Sequence, residues 1–355
     1  MGRRSYLDWL RGVAVLIMVE AHVFNAWTLP ADRADPLYRL LMLVGGFGAP
    51  AFLFLAGVAM PLAIGARLRK GVSVGDALRL ARRRGWQVFG LAFLFRFQSW
   101  VISRGPALTL LKVDILNILG LSMLAAALLW GLVRTRAARI ALFAAAAVAV
   151  AALAPAVRAS ATIAGWPDPL EWYFRPWPGR SSFTLSPWPA FLFAGVAVGE
   201  WLEGARTAPE EQRATWRLGA IGAALVAAGY AATFLPPVYD DGALWTISPT
   251  FFGARLGILL MALPVARAWA ARWRGGSVLE EFGVSSLFVY WIHVEMVYGI
   301  VSLPLHRQLT LAQAGVACVA LCVLLFALVR LKERWMPGAG LKARSHVREV
   351  ADRAV

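Results

Sequence analysis

L-A-Q-A-G-V-A-C-V-A-L-C-V-L-L-F-A-L-V, residues 311–329, runs 19 positions without a charged side chain, and Arg330-Leu331-Lys332-Glu333-Arg334 follows it directly. At about 1.5 Å of rise per residue, a helix of that length spans about 28 Å, close to the thickness of a bilayer's hydrocarbon core. Such a helix satisfies its own backbone polar groups without water, and the basic cluster behind it suits the headgroup layer.

The same pattern recurs along the chain. Apolar runs occupy roughly 9–28, 37–64, 86–102, 114–133 and 140–157, and again roughly 188–202, 218–235, 249–268 and 282–303. Hydrophobic residues make up 59% of the 355 positions, and the mean hydropathy is +0.63. That leaves too little polar surface for a water-soluble fold. Ala, Leu and Gly dominate the runs without strand-like alternation, which excludes an outer-membrane barrel. The expectation is an all-α, polytopic membrane bundle of about ten transmembrane helices. Residues 1–335 form one transmembrane domain in this reading, and 336–355 a basic tail.

Charge placement gives an orientation, because Lys and Arg are retained on the cytoplasmic side. With the N-terminus inside, the clusters 67–84, 134–139, 206–217 and 267–274, the N-terminus and the tail from Arg330 hold about 25 of the 36 Lys and Arg residues on one side. The outward segment with Asp240 and Asp241 carries none. Both ends are therefore expected inside. The net charge of +16 then reflects anchoring against anionic lipid rather than a nucleic-acid partner. The first run contains Arg11, Glu20 and His22 and lacks a small-residue cleavage site, so it is expected to stay in the membrane. Cys318 and Cys322 stand four apart on one helix and make no useful staple.

Charged and titratable groups inside a bilayer are costly, and they mark pathways or sites. The segment Tyr6-Leu-Asp8-Trp-Leu-Arg11-Gly12, continuing to His22, is the most informative. Arg11 and His22 are eleven residues apart, which returns them to within about 20° of one helical face, roughly 16 Å apart along the axis. Asp8 lies on that face one turn below Arg11. Imidazole is the side chain best suited to take a proton near neutral pH or to carry an acyl group transiently.

D-x-x-R-G with ten residues between Arg11 and His22 resembles the first helix of the transmembrane acyltransferase superfamily. That superfamily includes acyltransferase family 3 and bacterial relatives of heparan-α-glucosaminide N-acetyltransferase. Residues 52–57, 113–121, 191–199 and 288–299 are similar to segments of the heparan-acetyltransferase-like branch. One departure bears on chemistry. The lysosomal enzyme carries Asn at the place of His22 and its histidine further along, whereas this chain has no histidine between His22 and His293. The role of His22 therefore follows acyltransferase family 3.

The resemblance implies a bacterial inner-membrane enzyme taking an acyl group, acetyl above all, from cytoplasmic acyl-CoA to a hydroxyl or amine of an extracytoplasmic glycan. His22 is the expected base or acyl carrier, with Asp114 and His293 as further catalytic candidates. CoA is a polyanion that calls for guanidinium groups. Arg11 with Asp8, and Arg79, Arg82 and Arg83, are the expected donor-binding residues, Arg79 and Arg82 resembling an R-x-x-R motif. Arg255, Glu295 and Trp166 are candidates for the acceptor, the tryptophan by stacking on a sugar ring. No metal is expected. Glu20 faces away from His22, Arg96 sits mid-helix without an assignable partner, and His306 and His346 read as solvated. The competing class is a transporter or lipid-handling protein that uses the intramembrane charges as a relay. Two matching halves with broken helices, which would favour that class, are not visible. Acceptor identity, O- against N-acylation, direct transfer against an acyl-histidine and the oligomeric state lie beyond the sequence.

Overall fold

The structure is a computed structural model and describes residues 4–181, 183–235, 248–272 and 277–335. Asp240, Asp241, Arg274, His346 and the tail 336–355 lie outside the described residues. The helices that matter for the site are, in chain order, α1 (Ser5–Trp27), α2 (Pro36–Gly45), α3 (Gly48–Leu68), α4 (Val74–Ser103), α5 (Ile115–Leu132) and α6 (Arg136–Ala152). They continue with α7 (Pro189–Gly204), α8 (Ala208–Ala232), α9 (Pro249–Arg272), α10 (Val278–Val284), α11 (Ser286–Tyr298) and α12 (Leu311–Trp335).

Short polar side chains start many of these helices by accepting the first unpaired backbone N–H groups. Asp35 begins α2, Ser73 begins α4 and Thr135 begins α6. Asp114 with Asn117, and Thr207 with Glu210, form reciprocal capping boxes at α5 and α8. No strand occurs among the described residues. Five helical segments there are long and apolar enough to cross a membrane: 36–68, 115–132, 136–159, 249–272 and 311–335. The other apolar runs are helical too. Some are short, α7 having 16 residues and α11 13; α1, α4 and α8 carry charged side chains within their first three turns.

The chain divides into two compact units. Residues 49–272 form one. There α7 is buried on nearly every side from Pro189 to Glu203. Its glycines allow this: Gly195 lies against the Phe54 carbonyl and Gly199 against that of Val58, while Gly57 of α3 lies against the Leu192 carbonyl. Lipid tails are as apolar as leucine, so helix pairing in a bilayer relies on such close backbone approach.

Residues 4–48 and 277–335 form the other unit. Its axis is α1, whose Val15, Val19 and Val23, spaced by four, are fully buried. They join a core with Phe282, Val289 and Val297 and with Ala314, Leu321, Leu325 and Val329 of α12. Trp27 fixes the far end, donating Nε1–H to the Val297 carbonyl at 3.1 Å. The Arg307 and Leu309 N–H groups reach the Ala26 and Trp27 carbonyls, each at 3.0 Å. Asp32 accepts the first N–H of α12, that of Leu311, at 2.8 Å.

Candidate active site

The two histidines that stand 271 residues apart in the chain meet in the second of these units. His22 Nδ1 and His293 Nε2 are 2.9 Å apart, with ring centroids at 5.1 Å and planes inclined by 14°. The 3.6-residue period places His22 on the α1 stripe that faces the core, and the single turn between α10 and α11 brings Val289 and His293 down beside it.

The chemistry of the pair follows from its second hydrogen bond. His293 Nδ1 lies 2.8 Å from the Val289 carbonyl oxygen. A carbonyl only accepts, so Nδ1 of His293 carries a proton and donates it. In the neutral pair, Nε2 of His293 is then an acceptor, and His22 must donate to it from Nδ1. That leaves Nε2 of His22 with its lone pair in place. Among the described residues no hydrogen bond engages this atom. His293 is 0% exposed, whereas His22 is partly exposed. The reachable basic atom of the pair is therefore His22 Nε2, and His293 is its buried support.

Aromatic rings confine the pair. Tyr298 meets the His22 ring edge-on with centroids 5.4 Å apart, and Tyr290 meets that of His293 at 5.7 Å. Asn25, one turn beyond His22 on α1, lies close to Tyr298. Glu295 lies on α11 two residues past His293, its main-chain carbonyl capping that helix through the Gly299 N–H at 2.8 Å. Glu20 sits apart, beside Gly45 and Cys318.

Nearer the start of α1, Arg11 NH1 and the Asp8 carboxylate form an ion pair at 3.2 Å, with the Arg11 side chain 26% exposed and that of Asp8 8%. The remaining candidates belong to the other unit. Asp114 caps α5 through the Leu116 N–H at 2.8 Å and pairs with Arg96 at 3.0 Å. The pair is nearly buried on both sides, and breaking such a pair leaves an uncompensated charge. Arg96 thus has the partner that sequence could not name. Burial, with Arg96 and Arg180 nearby, pushes the Lys112 ammonium below its usual range against the pull of Asp114. Asn117 donates to the Tyr173 hydroxyl at 3.3 Å. Arg79 pairs with Asp76 at 2.9 Å on the surface; Arg83 is exposed and Arg82 partly so. Arg255 stacks on Phe251 with its guanidinium carbon 3.9 Å from the ring centre. Trp166 meets Phe174 edge-on at 5.3 Å.

His306, expected in solvent, instead donates from Nε2 to the Val297 carbonyl at 2.9 Å, the same oxygen that receives the Trp27 indole. It closes the turn after α11 and has a structural place. Val289, Tyr298 and Asn25 went unnoticed in the sequence. Neither a backbone carbonyl nor a tyrosine in an apolar run carries a sequence mark of its position beside an imidazole.

No curated protein matches the chain. Residues 4–330 match the family model described as an acyltransferase domain, and the span takes in α1, both histidines of the pair and nearly all of α12; the chain belongs to acyltransferase family 3, the membrane acyltransferases.

Proposed function

We propose that the protein moves an acyl group, with acetyl as the reference case, from acyl-CoA on the cytoplasmic side to a hydroxyl or amine of an extracytoplasmic glycan at a bacterial inner membrane. The observation that supports this most is the chain from the Val289 carbonyl through His293 to His22, which leaves His22 Nε2 as a proton acceptor on a partly exposed ring.

In this reading the acceptor's O–H or N–H proton moves to His22 Nε2, and the electron pair so released forms a bond to the thioester carbonyl carbon. The carbon–sulfur bond breaks with its pair on the CoA sulfur, which recovers the proton from His22. While His22 holds the extra proton, its Nδ1–H remains donated to His293, so the imidazolium is held in place. A positioned base of this kind contributes about 10²- to 10⁴-fold. Arg11, braced by Asp8, suits a phosphate of the donor, and Arg79, Arg82 and Arg83 keep the reading of donor-binding residues. Glu295, Arg255 and Trp166 are proposed for the acceptor, and Asp114 with Arg96 for orientation near it. The proposal includes about ten crossings with both ends inside.

The test is release of CoA thiol from acetyl-CoA by protein in sealed proteoliposomes, with and without a glycan acceptor, for wild type and His22→Ala. Acceptor-stimulated release that His22→Ala abolishes is expected. Thioester left intact while a labelled solute crosses the membrane would favour the transporter class. Cysteines placed at Val72 and Gly165 should label from opposite sides.

A further inference from the structure

Three arginines on the unit formed by 49–272 share a cleft, Arg136 within the field of Glu200 and Arg213 within that of Glu210. The cleft, of about 640 Å³, lies between the first turns of α6, the last turns of α7 and the first turns of α8, and Arg136, Arg213 and Arg217 line it. Among the described residues none of the three is hydrogen-bonded or ion-paired within 4 Å. Retention of positive charge on one side of a membrane accounts for arginines being here. It does not account for the lack of close contacts, which the neighbouring basic groups do make. Arg69 and Arg206 both pair with Glu203, and Arg139 lies over the Trp130 ring at 3.3 Å while donating to the Val133 carbonyl at 3.1 Å.

The single acid lining the cleft, Glu210, is held mainly by backbone, with Arg213 acting on it at longer range. Its carboxylate accepts the Arg206 and Thr207 N–H groups at 2.7 and 3.2 Å, and these bonds hold it below the usual carboxylate range. Glu210 is therefore ionised, and one carboxylate against three guanidinium groups leaves the cleft net positive. The N-termini of α6 and α8 add partial positive charge to it, offset in part by the C-terminus of α7.

Its other wall is apolar. Ala137, Ile140, Ala141, Trp201 and Ala214 line it, with Gly204 and Ala205 completing the cleft, and beyond them α6 and α8 present exposed Val148 and Ile221 on long apolar helices. A ligand suited to both halves carries an anion at one end and hydrocarbon at the other. We propose that the cleft binds the phosphodiester headgroup of an anionic glycerophospholipid, with Arg136, Arg213 and Arg217 on the phosphate and the acyl chains running between α6 and α8.

The experiment uses the full chain purified in detergent and titrated with phosphatidylglycerol or phosphatidylcholine, read by native mass spectrometry. Wild type should bind phosphatidylglycerol more tightly, by roughly fivefold per arginine and about 100-fold for three. The triple variant Arg136→Gln/Arg213→Gln/Arg217→Gln should lose that preference, and the triple Lys variant, which keeps the charge, should retain most of it. Gel filtration and thermal unfolding establish that each variant is folded. Equal retention of the two lipids by wild type overturns the proposal, as does an unchanged preference in the folded Gln variant. Free CoA displacing phosphatidylglycerol one for one would also overturn it, by assigning the arginines to a soluble phosphate.

Discussion

Gly12 and Gly283 interlock α1 with α10, Gly12 lying against the Leu279 carbonyl and Gly283 against the carbonyl of Asp8. The two backbones touch where a methyl group would enter the opposing peptide. The glycine of the D-x-x-R-G motif is therefore a packing residue, and its contact holds Asp8 and Arg11 at the start of the α1 stripe.

Gly12→Ala should lower stability by at least the ~1 to 3 kcal/mol typical of overpacking, because backbone offers no side chain to swing aside. Thermal unfolding in detergent would read it, with Gly90→Ala as comparator, since a methyl at Gly90 meets nothing within 4 Å. There the substitution should be neutral or stabilising by about 0.5 to 1 kcal/mol, the usual helix preference. Equal effects at the two positions would refute the interlock.

His293→Leu removes the acceptor that orients His22 and should reduce kcat by roughly the 10- to 100-fold that loss of an orienting partner costs a ligating histidine, with KM for acyl-CoA unchanged. His293→Gln, whose amide oxygen accepts the same proton, should recover part of the loss. His22→Ala should lose ~10²- to 10⁴-fold with CoA binding intact. His22→Asn separates proton transfer from positioning, because an amide hydrogen-bonds but takes no proton at neutral pH; near-native turnover there would move the base elsewhere, with His293 the first candidate.

Arg11→Ala should weaken CoA binding by about 1.5 to 3 kcal/mol, the range for a charged hydrogen bond, measured by calorimetry on folded protein. Arg11→Lys should recover only part, since an ammonium lacks the planar fork. Unchanged affinity in Arg11→Ala would leave the Asp8–Arg11 pair a purely structural link at the start of α1.

The helical class and the site helix were legible because both rest on local rules. Nineteen uncharged residues at 311–329 admit one kind of crossing structure in a medium without water, and eleven residues between Arg11 and His22 return to one face by the period of the helix alone. The orientation inferred from Lys and Arg placement rests on the same kind of counting and remains the proposal that labelling at Val72 and Gly165 addresses.

What the sequence determined by itself was therefore the membrane, the helices and the stripe that carries Asp8, Arg11 and His22. Only the tertiary structure decided that His293 stands 2.9 Å from His22, that Arg96 holds Asp114, and that Arg136, Arg213 and Arg217 face a common cleft. The reason is physical. Periodicity reports which residues share a face of one helix, while a hydrogen bond between residues 271 positions apart depends on which helices cross and how closely. Gly12 and Gly283 show such a crossing in the same unit, their absent side chains bringing α1 and α10 into backbone contact.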